Sequence, residues 1–307
     1  MADSSDAPIR VICGPTAAGK TFAATWFACL ADVGVVSADS RQLYRGFDIG
    51  TAKPTARDRL SAPHLGIDVL APTERASAAW WADRADGWID ELAEQGRTPI
   101  VVGGTGLYLR ALFGALFEEP AMDPAARTGI QVALADRTTD ELRRWVLALD
   151  PPRASLGRTQ LLRAIEIALL TGRRVSDLHR ETARPPRRRA RYLVVDPGPS
   201  LAYHVELRTT MMFSSGWHEE VRGLMRDVPE DAPAWNASGY RTVRAMVRGD
   251  LTSRDAIARV VIETRQYAKR QRTWFRHQLT GEDVTRLSVH EPDWAERATA
   301  WWREGNA

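Results

Sequence analysis

Gly14-Pro15-Thr16-Ala17-Ala18-Gly19-Lys20-Thr21 satisfies the pattern G-x-x-x-x-G-K-[ST]. The glycines let successive backbone N–H groups turn inward on an anion. The start of a helix adds its partial positive charge, Lys20 contributes a mobile cation, and Thr21 offers a hydroxyl to Mg²⁺. The flanks supply the setting this chemistry needs. Ile9 to Cys13 reads as a short buried strand, Lys20 to Ala31 as a helix, and Val33 to Ser37 as a second strand. Strand, glycine loop, helix, strand is the opening of a parallel α/β sheet. The expected fold is therefore α/β, a P-loop NTPase-like parallel sheet flanked by helices. The residues from Gly14 to Thr21 are its candidate diphosphate or triphosphate ligands, with Lys20 also a catalytic candidate and Thr21 the candidate metal ligand.

Further along, Ser77 caps a helix predicted to run to about Gln95, with Trp81, Ala85, Trp88 and Leu92 on one face. Gly96 ends it, and Pro99 to Val102 reads as a third strand, followed by Gly103-Gly104-Thr105-Gly106 and another helix. From about Asp123 to Leu178 the pattern is helical throughout. Leu161, Leu162, Ala164, Ile165, Ala168 and Leu169 crowd both sides of one helix, which is expected to be buried and to stop at the glycine of Thr171-Gly172. Residues 184–191, Arg-Pro-Pro-Arg-Arg-Arg-Ala-Arg, read as a stiff basic linker or, equally, as a candidate contact for a nucleic-acid backbone. Tyr192 to Asp196 returns to strand, and the remainder reads as helical. The expected organisation is an α/β core from 1–119 and 190–307 and a smaller all-helical insert from 120–189.

The chain of 307 residues is 44% hydrophobic and 26% charged, which argues against global disorder. No run approaches the ~20 apolar residues of a membrane span, and the first six residues lack a secretory signal's basic end and apolar core. Cys13 and Cys29 are the only cysteines, so neither a disulfide framework nor a four-cysteine zinc site is available; a cytoplasmic location is expected. Basic residues number 42 against 39 acidic, but only Lys20, Lys53 and Lys269 are lysines. Arginine binds phosphate in a planar fork and stacks on bases, so where the arginines cluster carries information. Residues 253–278 read as one helix. Ile257, Val261, Thr264, Ala268, Gln271 and Phe275 face the core, and Arg265, Lys269, Arg272 and Arg276 form a second stripe at i, i+4, i+7, i+11. No acidic residue lies between 264 and 278, as suits a phosphodiester backbone.

The phosphate loop alone leaves the substrate open, with ATP the default. A kinase or nucleotide hydrolase also wants an acidic residue at the end of another strand to hold Mg²⁺; the strand at 99–102 ends in Gly-Gly-Thr-Gly instead. The blocks around the loop are more specific. Ser37-Ala38-Asp39-Ser40-Arg41-Gln42-Leu43-Tyr44-Arg45-Gly46-Phe47-Asp48-Ile49-Gly50-Thr51-Ala52-Lys53-Pro54 is followed by His64-Leu65 with Asp68, then Gly103-Gly104-Thr105-Gly106-Leu107-Tyr108. Gly239-Tyr240-Arg241 and Tyr267-Ala268-Lys269-Arg270-Gln271-Arg272-Thr273-Trp274-Phe275-Arg276 come last. In order and content these resemble the signature blocks of the tRNA dimethylallyltransferases, over residues 14 to 276.

The resemblance implies Mg²⁺-dependent transfer of the dimethylallyl group from dimethylallyl diphosphate to the exocyclic amine of the adenosine just 3′ of the anticodon, in tRNAs reading codons that begin with U. It implies that the loop holds a prenyl diphosphate, that Asp39 accepts the amine proton, that Thr105 meets the donor's bridging oxygen, and that Arg208 faces the diphosphate. It implies anticodon-loop contacts from Asp39, Ser40, Arg41 and Gln42 and from the helix bearing Gln160, Arg163 and Glu166. The anticodon stem-loop is then a partner, and the enzyme is expected to act as a monomer. The chain departs from the family pattern at Leu156-Gly157, where an Asn-Asp is usual, and at Gln160, which replaces an arginine. Residues 120–157 match poorly and lack the usual Leu-His. The rival readings are an adenylate isopentenyltransferase acting on free AMP, ADP or ATP, a small-molecule kinase using the same loop, and a catalytically idle RNA-binding relative.

Overall fold

The structure, a computed structural model, describes residues 7–114, 120, 122–181 and 186–304. The reading of the first six residues, and part of the basic stretch 184–191, lie outside them. Along the chain run β1 (Ile9–Cys13), α1 (Lys20–Ala28), β2 (Val33–Ser37), α2 (Ala56–Ser61), β3 (His64–Leu65), α3 (Ala78–Glu94), β4 (Thr98–Gly103) and α4 (Gly106–Phe113). Then come α5 (Pro124–Leu134), α6 (Thr139–Leu149), α7 (Arg158–Thr171) and α8 (Val175–Glu181). The chain ends with β5 (Ala190–Val195), α9 (Leu201–Ser214), α10 (Trp217–Asp227), α11 (Tyr240–Arg248), α12 (Ser253–Gln278), β6 (Val284–Leu287) and α13 (Trp294–Glu304).

The strands form one six-stranded sheet in the order β3-β2-β4-β1-β5-β6, parallel throughout. A parallel sheet is covered on both faces, which is why β2 is buried at every position and reads as a continuous apolar run. Gly34 in β2 has no Cβ because one would run into the side chain of Leu92 on α3. Another core cluster packs Phe27 of α1 against Trp302 of α13, with ring centroids 4.8 Å apart, and against Trp301 at 5.4 Å. Arg10 at the start of β1 lays its guanidinium 4.3 Å over the Trp302 ring and donates to the Trp302 carbonyl at 2.9 Å.

The chain divides into two compact units, residues 1–113 with 187–307 and residues 114–186. The boundaries thus fall a few residues N-terminal of those read from the sequence. The second unit is all-helical with its own core, in which Leu142, Val146, Leu161, Ala164, Ile165 and Leu178 meet. Gly172 caps α7 with φ 68°, as the glycine stop predicted.

Several expectations need correction. The first helix ends at Ala28 rather than Ala31. In α3 the buried face includes Ile89, while Trp88 is half-buried. On α7, Leu161, Ala164 and Ile165 are buried as expected, but Leu169 is 49% exposed while Glu166 and Ile167 are buried. The C-terminal part is not wholly helical: β6 was missed, as was the two-residue β3. The basic stretch is no free linker. Arg188 donates to Asp86 at 2.6 Å and through Nη2 to both Asp90 oxygens at 2.8 Å, and Arg187 pairs with Asp83. An acidic face on α3 thus neutralises those two arginines, and β5 begins at Ala190, two residues early. Ile257 on α12 is half-buried, its place in the core taken by Ala256 and Val260.

Candidate active site

In open α/β sheets, ligands collect beyond the carboxyl ends of the strands. Here three loops leave that edge side by side. The loop 14–19 follows β1, the loop 103–106 follows β4 next to it, and Ala38-Asp39-Ser40 follows β2 on the far side of β4. The loops interlock through backbone. Thr105 N–H donates to Ala38 O at 3.1 Å, and Gly103 has no room for a Cβ against that same residue's backbone. Gly14, at φ 148°, passes under the Val195 carbonyl at the end of β5, where a side chain would collide.

Ala17 takes a left-handed φ of 63° and Gly19 one of 94°, so the chain coils inward before α1. For an alanine that conformation costs about 1–2 kcal/mol. Among the described residues, no acceptor takes the N–H groups of Ala18, Gly19, Lys20 or Thr21, which leaves a cluster of donors at a helix N-terminus. Lys20 folds back over this loop, donating to Gly14 O at 3.1 Å and Pro15 O at 2.8 Å. Arg208 reaches in from α9 to donate to the Thr16 hydroxyl. Desolvation pushes the Lys20 ammonium down to about 8, opposed by Asp39 and reinforced by Arg208. Desolvation likewise brings Arg208 down to about 10, again opposed by Asp39. Two desolvated cations beside free N–H groups form a site that gains from an anion carrying several charges.

Asp39 stands where two spaces meet. A small cavity of about 40 Å³ is lined by Lys20, Thr21, Ser37, Asp39 and Gln42 among others. A larger one of about 620 Å³ opens from Thr16, Asp39, Arg41 and Arg208 toward Trp217, Trp235 and Tyr267. The Asp39 Oδ1 accepts the Arg41 N–H at 2.9 Å, a local turn that fixes the carboxylate's aim. The Thr105 hydroxyl accepts the Ser40 N–H at 3.0 Å, which ties the loop after β4 to that after β2. The structure therefore brings Lys20, Asp39, Thr105, Arg208 and the loop 14–21 together.

Other candidates are placed differently. Gln42 is occupied as a brace: its Oε1 accepts from Ser37 Oγ at 3.0 Å, and its Nε2 donates to Thr51 O and Ala52 O at 3.3 and 3.1 Å. In the insert unit, Gln160 accepts the Gly157 N–H at 3.2 Å and so caps its own helix. Arg163 pairs at 2.7 Å with the buried Glu166, which also holds Arg127 at 3.1 Å and Gln131 at 2.8 Å. On α12 the stripe borders a groove of about 390 Å³. Arg265 pairs with Glu206 at 2.9 Å and Arg272 with Asp196 at 2.7 Å, so the acidic partners missing from the helix come from neighbouring elements. Lys269 and Arg276 have no acidic partner among the described residues.

The wall of the large cavity was the part least legible beforehand. Asn236, Ser238 and Arg241 line it, as do Arg259, Glu263, Gln266 and Arg270 of α12. The last four recur at i, i+4, i+7, i+11, a polar stripe of the same form as the one noticed on that helix, and this spacing was the available signal. Beneath the wall, Glu220 accepts the N–H groups of Asp48 and Ile49 at 3.0 and 2.7 Å and the Tyr240 hydroxyl at 2.6 Å. Burial pushes its carboxyl above the usual range against those bonds. Lys53 plays the matching part, donating to Tyr44 O at 2.6 Å, Asp48 at 2.6 Å and Asp68 at 2.5 Å.

The chain is similar to known proteins over most of its length. The family model for IPP transferase matches residues 42–278. A tRNA dimethylallyltransferase of Anaeromyxobacter sp. (strain K) is 41% identical over 273 residues, covering 87% of this chain and 89% of the relative. One from Methylococcus capsulatus is 38% identical over 301 residues, 95% of each. Among solved structures, the full-length tRNA isopentenylpyrophosphate transferase of Bacillus halodurans superposes with a TM-score of 0.67 at 28% identity, covering 98% of both chains.

Proposed function

The chain belongs to the IPP transferase family, and on that premise we propose that it transfers the dimethylallyl group of dimethylallyl diphosphate to the exocyclic amine of the adenosine 3′ to the anticodon, in tRNAs reading codons that begin with U. The observation that carries this reading is the position of Asp39, which lines both the small space beside Lys20 and Thr21 and the large one beyond. A carboxylate between an anion cradle and a cavity of base size suits a general base between a diphosphate leaving group and a nucleophilic amine.

The donor's diphosphate lies against the free N–H groups of the loop, with Lys20 and Arg208 on it. The amine nitrogen forms a bond to the allylic carbon as that carbon's bond to the bridging oxygen breaks, and the electron pair leaves with the diphosphate. Fixed donors aimed at charge that grows as the bond breaks are usually the largest catalytic contribution. The Thr105 hydroxyl, held by Ser40, donates to the bridging oxygen. The amine proton passes to Asp39, whose Oδ1 is already engaged by Arg41 and whose second oxygen remains for it. The donor set around the small cavity, the hydroxyl, carboxylate and amide oxygens of Thr21, Ser37, Asp39 and Gln42, suits a hard cation. Thr21 would hold Mg²⁺, which would supply neutralisation of the charge growing on the leaving group.

The acceptor base enters the large cavity, since chemistry on a base requires taking it out of its stack. Arg41 lines it, with Ser40 beside it in the chain, Gln42 shapes its edge through the loop 51–52, and Lys269, Arg276, Arg265 and Arg272 would follow the backbone. Gln160 and Arg163 supply further contacts from the insert. With tRNA as acceptor the enzyme works in the cytoplasm, as a monomer. The deciding assay offers Mg²⁺, labelled dimethylallyl diphosphate and either unmodified tRNA or AMP. Label is expected in tRNA and not in AMP. Preference for AMP would transfer the site to the adenylate prenyltransferases, and a phosphorylated product would transfer it to the kinases.

A further inference from the structure

Gln271 is the residue of α12 to which the proposed chemistry gives no part. Its side chain is buried. Its Oε1 accepts the Thr16 N–H at 2.8 Å, and its Nε2 donates to Gly104 O at 2.8 Å. One amide thus joins the loop after β1 to the loop after β4. An N–H only donates and a carbonyl only accepts, so the bridge needs one acceptor and one donor at the tip of a single side chain. Glutamine supplies both. Glutamate, of the same length, presents two acceptors, and methionine neither. Gly104 is shaped to this contact: a Cβ there would stand 2.5 Å from the Gln271 amide nitrogen and 3.2 Å from Gly14 O.

The two ends of the bridge matter for different reasons. Thr16 lies within the anion cradle, and its hydroxyl already receives Arg208. Taking its N–H holds the turn open so that the following N–H groups face the anion. Gly104 precedes Thr105, whose hydroxyl is registered against Ser40. Of its neighbours on α12, Tyr267 and Arg270 line the large cavity, Tyr267 also hydrogen-bonding the Thr105 side chain, while Lys269 and Arg272 line the groove. Among the described residues of this turn, Gln271 alone hydrogen-bonds both loops.

We propose that Gln271 is a positioning residue that sets the spacing between the diphosphate cradle and Thr105, so that leaving oxygen and hydroxyl meet in register. The proposal rests on reading the loop 14–21 as a diphosphate site. Two variants separate the two ends of the bridge. Gln271→Glu keeps the acceptor for Thr16 and loses the donor for Gly104. Gln271→Met loses both. A misplacement near 1 Å costs up to about 10²-fold in rate, and a fall in kcat of that order is expected in both variants. Affinity for inorganic diphosphate should weaken in both variants, in Gln271→Met through the lost acceptor for Thr16 and in Gln271→Glu through the negative charge set beside the anion, and the KM for tRNA should be unchanged in both. A residue serving stability alone would lower the melting temperature and leave kcat per folded molecule intact; folded variants with parental kcat overturn the proposal. Amide hydrogen exchange on the unaltered free enzyme gives a second reading that no folding defect can obscure. The Thr16 N–H should be protected while those of Ala18 and Gly19 become protected only on adding inorganic diphosphate. If Thr16 exchanges as fast as Ala18, the bridge is not made. Failure of the unaltered enzyme to bind inorganic diphosphate at all would strike the cradle reading instead.

Discussion

At the scale of single residues, the centre holds two cations and one carboxylate, and each makes a separate measurable claim. Asp39→Ala should cut turnover by about 100-fold or more, as loss of a general base does, with inorganic diphosphate binding kept. A fall of less than tenfold, well below the ~10²-fold that positioned proton transfer typically contributes, would remove Asp39 from that role. Lys20 gives a pH dependence whose sign follows from its environment. Desolvation holds the free enzyme's Lys20 at about 8, and a bound anion favours the ammonium, so its pKa rises on binding. Below pH 8 the lysine is charged in both states and contributes no slope. Above pH 8 binding must take up a proton, and affinity for inorganic diphosphate should fall by up to about tenfold per pH unit. Calorimetric titration across this range tests it. Lys20→Arg should flatten the curve, since a guanidinium stays charged. A rise in affinity above pH 8 would contradict the assignment. That Lys20 and Asp39 belong to one site was legible in contiguous residues, Lys20 in the loop motif and Asp39 in the block that resembles the family's. The part played by Gln271 was not. A buried amide on the core face of a helix has the same periodicity as its apolar neighbours, and only the approach of two distant loops reveals what it holds.

At the scale of elements, α12 carries three stripes: a core face, the cavity stripe of Arg259, Glu263, Gln266 and Arg270, and the groove stripe of Arg265, Lys269, Arg272 and Arg276. The helix and its ends were readable from periodicity, and the structure adds a cap at its start, the Thr252 hydroxyl, which accepts the Asp255 N–H at 3.1 Å. How the charges divide was not. Arg265 and Arg272 meet Glu206 and Asp196, residues from α9 and the end of β5, whereas Lys269 and Arg276 meet no carboxylate among the described residues. The two unpartnered cations should therefore carry most of the groove's phosphate contact. Replacing Lys269 and Arg276 together with alanine should lower the slope of log affinity for tRNA against log salt by about 0.7–0.9 per residue. Arg265→Ala should change it less, because its charge is already offset. A salt slope equal to that of the unaltered enzyme would take this stripe out of the RNA interface. The basic stretch before β5 teaches the same lesson: Arg187 and Arg188 read as part of a stiff basic linker until the acidic face of α3 is set beside them.

At the scale of the whole molecule, the C-terminal helix α13 completes the core over α1. Trp302 stacks on Phe27, carries the Arg10 guanidinium on its ring and receives its hydrogen bond at the carbonyl. Trp302→Ala should cost about 3–5 kcal/mol, read as a fall in thermal midpoint with kcat below the transition preserved. An unchanged midpoint would mean that the helix adds nothing to the fold. The sequence alone determined the parallel α/β class, the phosphate loop, the helical insert and the ordered blocks that set the family, because each is written in contiguous residues whose spacing reports local geometry. Only the tertiary structure decided that β3 and β6 join the sheet, that Asp39 faces two cavities, and that one glutamine bridges two loops. Edge strands of two and four residues have no periodicity of their own. Partners more than a hundred residues apart are chosen by packing and by unmet hydrogen bonds, neither of which exists until the chain has closed on itself.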